Sequence, residues 1–161
     1  SGNKNHYITW ATETTGVSYA NCLPLWNGNG TVKVVIAGDN RGPVDEVIRS
    51  ACAAHIEDER PIGATVTVVS VAEREIPVTV TLASGYTTEQ VGDQVEAAIN
   101  ELLKKQPFGE ESTIPFSRML ACLLQCPGVA DYSTFTVDGG TAAITLKAED
   151  AAVVGTITVT A

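Results

Sequence analysis

Residues 76–82, Ile-Pro-Val-Thr-Val-Thr-Leu, alternate strictly between apolar and polar. Ile76, Val78, Val80 and Leu82 fall on one side and Pro77, Thr79 and Thr81 on the other, the period of a strand with one covered and one wet face. Pro77 has no N–H to give a ladder, so it is expected at a sheet edge or a strand start. Residues 65–71, Thr-Val-Thr-Val-Val-Ser-Val, predict a second, β-branched strand. The joint between them, Ala72-Glu73-Arg74-Glu75, contains neither Gly nor Asn. Two alternatives stand for residues 65–82: a hairpin, or one bent strand running from one sheet into the next.

A period near 3.6 marks the helices. Val44, Val47, Ile48, Ala51 and Cys52 recur at that spacing after Gly42-Pro43. Pro43 is expected at the first helical position, with Asp45 and Glu46 in the opening turn beside the positive end of the macrodipole. Pro61 and Gly63 end the segment. Val91, Val95, Ala98, Ile99, Leu102 and Leu103 form a second stripe. Thr87 and Gln90 fit a capping box before it, and Lys104 and Lys105 sit at its negative end. Two shorter helices are expected at residues 5–14 and 115–125, the latter with Met119, Leu120, Leu123 and Leu124 inward and Pro127-Gly128 as its stop.

One arrangement occurs twice. Gly16-Val17 leads to Leu23-Pro24-Leu25-Trp26, then Asn27-Gly28-Asn29-Gly30, then Thr31-Val32-Lys33-Val34-Val35-Ile36. Gly128-Val129 leads to Phe135-Thr136-Val137, then Asp138-Gly139-Gly140, then Thr141-Ala142-Ala143-Ile144-Thr145-Leu146. Each reads as a hairpin behind a helix. With a last strand over 152–160, the order predicts an α+β fold of two small sheet-plus-helix subdomains, 1–74 and 75–161, related by an approximate internal duplication. Halves this small have small cores and are expected to pack on each other.

The glycine loops carry no phosphate-binding meaning. Each lies between two strands, so it lacks the helix N-terminus whose free N–H groups hold a pyrophosphate. The chain has 161 residues, 44% of them apolar, enough for a real core. No apolar run approaches the length needed to span a membrane. The start, Ser1-Gly2-Asn3-Lys4, has no initiator Met and no signal-peptide core, and is read as an interior start within a longer protein. The net charge is −9, from 19 acidic and 10 basic residues. That balance argues against a nucleic-acid partner, which needs clustered cations, and favours solubility or attraction to a basic partner.

Candidate chemistry is sparse. Cys22, Cys52, Cys122 and Cys126 lack the paired C-x-x-C spacing of a zinc site and read as buried thiols of a reducing compartment. His55 falls near the end of the 44–56 helix, where a dipole-capping or packing role outweighs a ligand role. His6 has no carboxylate or Cys nearby in sequence. Glu57-Asp58-Glu59 and Glu110-Glu111 lack the alternate-residue spacing of a calcium loop and read as solvated surface. Trp10 and Trp26 are candidates for core or interface; Trp26, just before a loop, leans toward exposure. No catalytic, cofactor-binding or metal-ligating residue is assigned, and no cofactor is expected.

Three segments carry a family resemblance: Leu23-Pro24-Leu25-Trp26-Asn27-Gly28-Asn29-Gly30-Thr31-Val32-Lys33-Val34-Val35-Ile36-Ala37-Gly38, Val44 to Ile56, and Arg60-Pro61-Ile62-Gly63-Ala64-Thr65-Val66-Thr67-Val68. Together they resemble the C-terminal half of the baseplate J-like proteins, wedge components of contractile phage tails and related prophage particles. Ile114-Pro115-Phe116-Ser117-Arg118, Pro127-Gly128-Val129 and Gly155-Thr156-Ile157-Thr158-Val159 continue in the family's order. The resemblance implies a non-enzymatic role: assembly of a tail baseplate with other baseplate and tail proteins, including further copies of the chain in a ring, with no nucleic acid or membrane partner. It further implies residence in the virion or tail-like particle, after synthesis in the host bacterial cytoplasm. The alternative is a small-molecule-binding or sensing α+β module, with a ligand at a sheet edge or between halves.

Overall fold

The structure, a computed structural model, describes residues 3–83 and 90–161. The chain forms two compact units. The first comprises Ser1–Glu73, Pro107–Glu111 and Lys147–Ala151; the second comprises Arg74–Gln106, Ser112–Leu146 and Ala152–Ala161.

The first unit opens with helix α1 (Lys4–Thr12). The Asn3 side chain caps it by accepting from the His6 N–H at 3.0 Å, satisfying one of the free donors of the first turn. Strands β1 (Tyr19–Pro24) and β2 (Thr31–Ala37) follow, then a short 3-10 turn, helix α2 (Glu46–Glu59) and strand β3 (Thr65–Ser70). The sheet order is β1-β2-β3. β1 and β2 pair antiparallel, from Tyr19 opposite Ala37 to Pro24 opposite Val32. β2 and β3 pair parallel, from Thr31 opposite Thr65 to Ile36 opposite Ser70. A parallel pair needs a crossover, and α2 supplies it.

The α2 start corrects one expectation. Pro43 is not in the helix; Asp45 is the N-cap and its carboxylate accepts from the Ile48 N–H at 2.9 Å. A side-chain acceptor at the cap is worth about 1 kcal/mol, so Asp45 rather than the proline sets the boundary.

Both faces of β2 are covered. Val34 and Ile36 join Tyr7, Ala11, Cys22, Cys52, Ile56 and Val68 in one core. Val35 and Ala37, on the opposite face, pack with Val71, Ala151, Leu23, Val69 and Phe108. That second layer is built partly from the distant pieces 107–111 and 147–151. Asn21, the one buried polar residue among the described residues, holds the first of them by donating its Nδ2 to the Gly109 carbonyl at 2.8 Å. Gly109 has φ +70, and a side chain there would collide with Asn21.

The second unit is organised around strand β4 (Ala72–Leu82), whose residues from Arg74 on belong to it. Helix α3 (Val91–Lys104), strand β5 (Ser112–Ile114), helix α4 (Phe116–Leu124) and strands β6 (Tyr132–Val137), β7 (Ile144–Leu146) and β8 (Asp150–Thr160), the last from Ala152 on, complete the order. One sheet runs β6-β4-β8; β5 and β7 form a separate antiparallel pair. Of the predicted stripe, Val91, Val95, Ile99 and Leu103 are buried with Val78, Val80, Leu82, Met119, Leu123 and Phe135 in one core, and Ala98 and Leu102 are partly buried against it. Polar residues of α3 satisfy backbone elsewhere: Gln94 Oε1 accepts from the Gly128 N–H and Asn100 Oδ1 from the Val154 N–H, at 2.8 and 2.9 Å.

The α+β class and the alternation of Ile76, Val78, Val80 and Leu82 stand as expected. Residues 65–82 are not a hairpin. β3 pairs with β2 and β4 with β6 and β8, so the chain passes from one sheet to another with a single-residue break at Val71. Pro77 sits within the central strand rather than at its start. Its carbonyl accepts from the Asp138 N–H at 2.8 Å, one residue beyond the end of β6, so the proline lies where that ladder stops. The Thr87 half of the predicted capping box lies outside the described residues. Gln90 makes no side-chain cap and has φ +68.

The second predicted hairpin does not close. Val137 forms a single bridge with Gly140, and β7 then pairs with β5 instead of β6. The two units accordingly have different strand orders, so the doubled sequence pattern is not repeated in the topology.

Candidate interaction surface

At the end of the first unit's sheet, two loops meet. Residues 25–30 join β1 to β2, and residues 61–64 lead into β3; because β2 and β3 are parallel, both loops lie at the same end. The Thr65 N–H donates to the Gly30 carbonyl at 2.7 Å, tying one to the other. The first loop is braced internally. The Leu25 N–H donates to the Thr31 carbonyl at 2.8 Å, the Thr31 hydroxyl donates to the Gly28 carbonyl at 2.6 Å, and the Asn27 N–H donates to the same hydroxyl at 3.1 Å.

This braced loop presents apolar side chains to solvent. Leu25 is 63% exposed, Trp26 43% and, on the neighbouring loop, Ile62 is fully exposed. Leu25 has φ +57, unusual for a bulky side chain and held by the surrounding bonds. The Lys33 ammonium lies 4.5 Å from the centre of the Trp26 ring and pairs with Glu149 at 3.2 Å. The ring is thereby fixed rather than free to collapse. Trp26 thus takes the exposed position expected of it, whereas Trp10 is half-buried against the core and stacks with His6 at 5.8 Å. Leu25 and Ile62 escaped the sequence reading. The available signal was a large apolar residue placed beside Pro24 and between Pro61 and Gly63, where no periodicity demands it.

The titratable residues do not converge. His55 Nε2 meets Glu13 Oε2 at 2.7 Å, joining α2 to the end of α1 in a partly exposed pair. Glu57 pairs with Arg60, and Glu46 with Arg49 at 2.7 Å, three residues on in each case. The guanidinium hydrogen bond holds each carboxyl below its ordinary range. Asp58, Glu59, Glu110 and Glu111 are exposed. Burial pushes all four thiols, Cys22, Cys52, Cys122 and Cys126, above their ordinary range, which keeps them protonated and poor nucleophiles. No group of three or more His, Cys, Asp and Glu among the described residues could hold a metal ion. No helix among them is long and apolar enough to cross a membrane.

The chain is matched by two family models in succession. The Baseplate J-like central domain matches residues 1–70, and the Baseplate J-like protein C-terminal domain matches residues 75–160. The protein XkdT of the phage-like element PBSX of Bacillus subtilis (strain 168) is 32% identical over 86% of this chain and 42% of its own length. The baseplate protein gp47 of Escherichia phage Mu is 29% identical over 81% of this chain and 39% of its own. An uncharacterized Bacillus subtilis protein, YqbT, is 31% identical over 99% of this chain and 48% of its own. The chain thus spans about half, or less, of the length of these relatives. A chain from the cryo-EM structure of the anti-feeding prophage baseplate shares the fold, with a TM-score of 0.65 at 13% identity, over all of this chain and 38% of that one.

Proposed function

Because this chain belongs to the baseplate J-like family, we propose that it is a structural component of a phage or prophage tail baseplate, acting in wedge assembly through protein–protein contacts. The observation that carries the reading is the succession of the two family domains along nearly the whole chain, in the order central then C-terminal. Relatives named as baseplate or phage-element proteins and the fold of a prophage baseplate chain support it. In this reading the chain is not an enzyme and has no catalytic, cofactor-binding or metal site. It works as two modules, 1–74 and 75–161. Its partners are other baseplate and tail proteins and further copies of itself in a ring, and it resides in the tail particle after synthesis in the host bacterial cytoplasm.

The braced Leu25-Trp26 loop and Ile62 supply the kind of contact this role needs. Exposed large apolar side chains on a rigid frame mark interaction sites, and aromatic anchors dominate their energetics. The test is co-expression of the whole protein with the products of the flanking tail genes, followed by size-exclusion chromatography and electron microscopy. A ring or wedge complex is expected, weakened by Trp26→Ala. A protein that stays monomeric beside every tail component overturns the reading.

A further inference from the structure

The unfinished second hairpin leaves a vacancy. Among the described residues, β6 is an edge strand of the sheet β6-β4-β8, with β4 on one side only. Two bonds fix the direction of its backbone groups. The Asp138 N–H points inward, to the Pro77 carbonyl at 2.8 Å, and the Val137 N–H points outward, to the Gly140 carbonyl at 2.9 Å. Directions alternate along a strand, so the N–H and C=O of Phe135, two residues before Val137, also point outward. Neither has a hydrogen-bond partner among the described residues. Gly140 fills the outer edge opposite Val137 only.

Where the returning strand would lie there is a pocket of about 360 Å³, lined by residues 132–136 of β6 with Phe116 and Thr141. Its lining combines three aromatic residues, Phe116, Tyr132 and Phe135, the first and last packing at 5.5 Å, with Ser133 and three threonines. An unpaired backbone donor and acceptor beside an apolar pocket match one kind of occupant: an extended peptide, whose main chain completes the ladder while a side chain fills the pocket. Among residues 132–137 none is charged; exposed Asp131 flanks one end, Asp138 at the other is paired with Arg74 at 3.2 Å, and the chain carries net charge −9. The complementary segment is apolar–polar alternating and neutral or basic at its ends. The bulge in the β4–β6 register between Thr81 and Leu82 limits the open stretch and so guards it against indiscriminate strand addition.

The geometry points to the outer edge of β6 as a docking site for an extended, basic-flanked segment of a partner protein, added as a strand beside Phe135 with one apolar side chain in the pocket. This rests on reading the chain as an assembly protein.

The probe is the capped peptide Lys-Val-Thr-Val-Thr-Val-Lys, titrated into the 161-residue protein and followed by amide NMR and hydrogen exchange. In the free protein the Phe135 amide should exchange fast although its side chain is buried, while the neighbouring Thr136 amide, facing β4, is protected. The peptide should bind saturably and protect Phe135. Thr134→Lys places a charge on the exposed edge without touching the core; it should leave the fold's spectrum intact and weaken binding about tenfold or more. A slowly exchanging Phe135 amide in the free protein overturns the proposal, as do no saturable binding and a Thr134→Lys variant that binds like the wild type. Concentration-dependent protection of Phe135 without peptide makes the occupant a second copy, and overturns a foreign strand. Co-assembly with tail proteins separates the two levels. If complexes form equally with Thr134→Lys, the edge site fails and the baseplate reading stands; if none forms with the wild type, the baseplate reading fails independently.

Discussion

Two turns of similar composition behave differently. Asn27-Gly28-Asn29-Gly30 closes a hairpin whose strands pair over six residues, whereas Asp138-Gly139-Gly140 reverses the chain and yields one bridge before the strands part. The local chemistry is shared: Gly28 has φ +98 and Gly139 φ +78, and nothing crowds either. The difference lies in what the outgoing strand can bury. β2 has four consecutive buried residues, Val34 to Ala37, with cores on both faces, so pairing with β1 places it between two apolar layers. After Gly140 come exposed Thr141, Ala142 and Ala143, which gain little by lying along β6. Ile144 and Leu146 gain more against the second core, reached by pairing with β5. Arg74 reinforces the diversion, donating to the Thr145 carbonyl at 2.6 Å and pairing with Asp138 at 3.2 Å. A turn therefore decides that the chain reverses, while burial decides with which strand it then pairs.

The largest blow to the first hairpin should come from Ile36→Ala. The residue is wholly buried, and truncation should cost about 2–5 kcal/mol by denaturant unfolding. Thr141→Ala, beyond the second turn, should stay within about 0.5 kcal/mol of wild type, as exposed positions do. Equal losses at the two sites would show that burial does not separate the turns.

Gly28→Ala and Gly139→Ala sharpen the comparison from the other side. Each puts a side chain at positive φ in open space, so each should cost about 1–2 kcal/mol, and to a similar extent. A loss confined to Gly28 would mean that the second turn is not held in its left-handed conformation.

A smaller effect, about 1 kcal/mol, is expected for Arg74→Ala, which removes a partly exposed clamp. Amide shifts should move at Asp138 and Thr145 and stay still around Asn27–Gly30. Unmoved shifts at Asp138 would remove the clamp from the account of the second turn.

The smallest effect is acid sensitivity on α2. Glu46 and Glu57 have folded pKa values lowered by Arg49 and Arg60. Lowered carboxyl values contribute stability that is present above the unfolded pKa and lost as pH falls through the folded one. The pairs are exposed, so Glu46→Gln with Glu57→Gln should flatten the acid limb of stability slightly and leave neutral stability almost unchanged. A marked drop at neutral pH would contradict surface pairs of this kind.

Much of the fold was legible because its elements carry their own periodicity. Val91, Val95, Ile99 and Leu103 announced α3, and each is buried. Ile76 to Leu82 announced β4 in the same way. Strand β5 was missed: three residues, Ser112–Ile114, are too few for a period and form only because β7 pairs with them. Of the candidate surface, Trp26 was legible, whereas Leu25 and Ile62 stand out only once their loops are seen side by side.

By itself, the sequence of this protein determined the helices, the main strands, the reversing turns and the membership of a family, since each is written in spacing over a few residues or in local motifs. Tertiary structure alone decided that Phe108 and Ala151 cover the far face of β2, that residues 65–82 pass between sheets, and that β7 pairs with β5 rather than with β6. Those outcomes depend on which distant apolar surfaces compete for the same strand. That is a comparison of burial free energies across the whole chain, which no local pattern records.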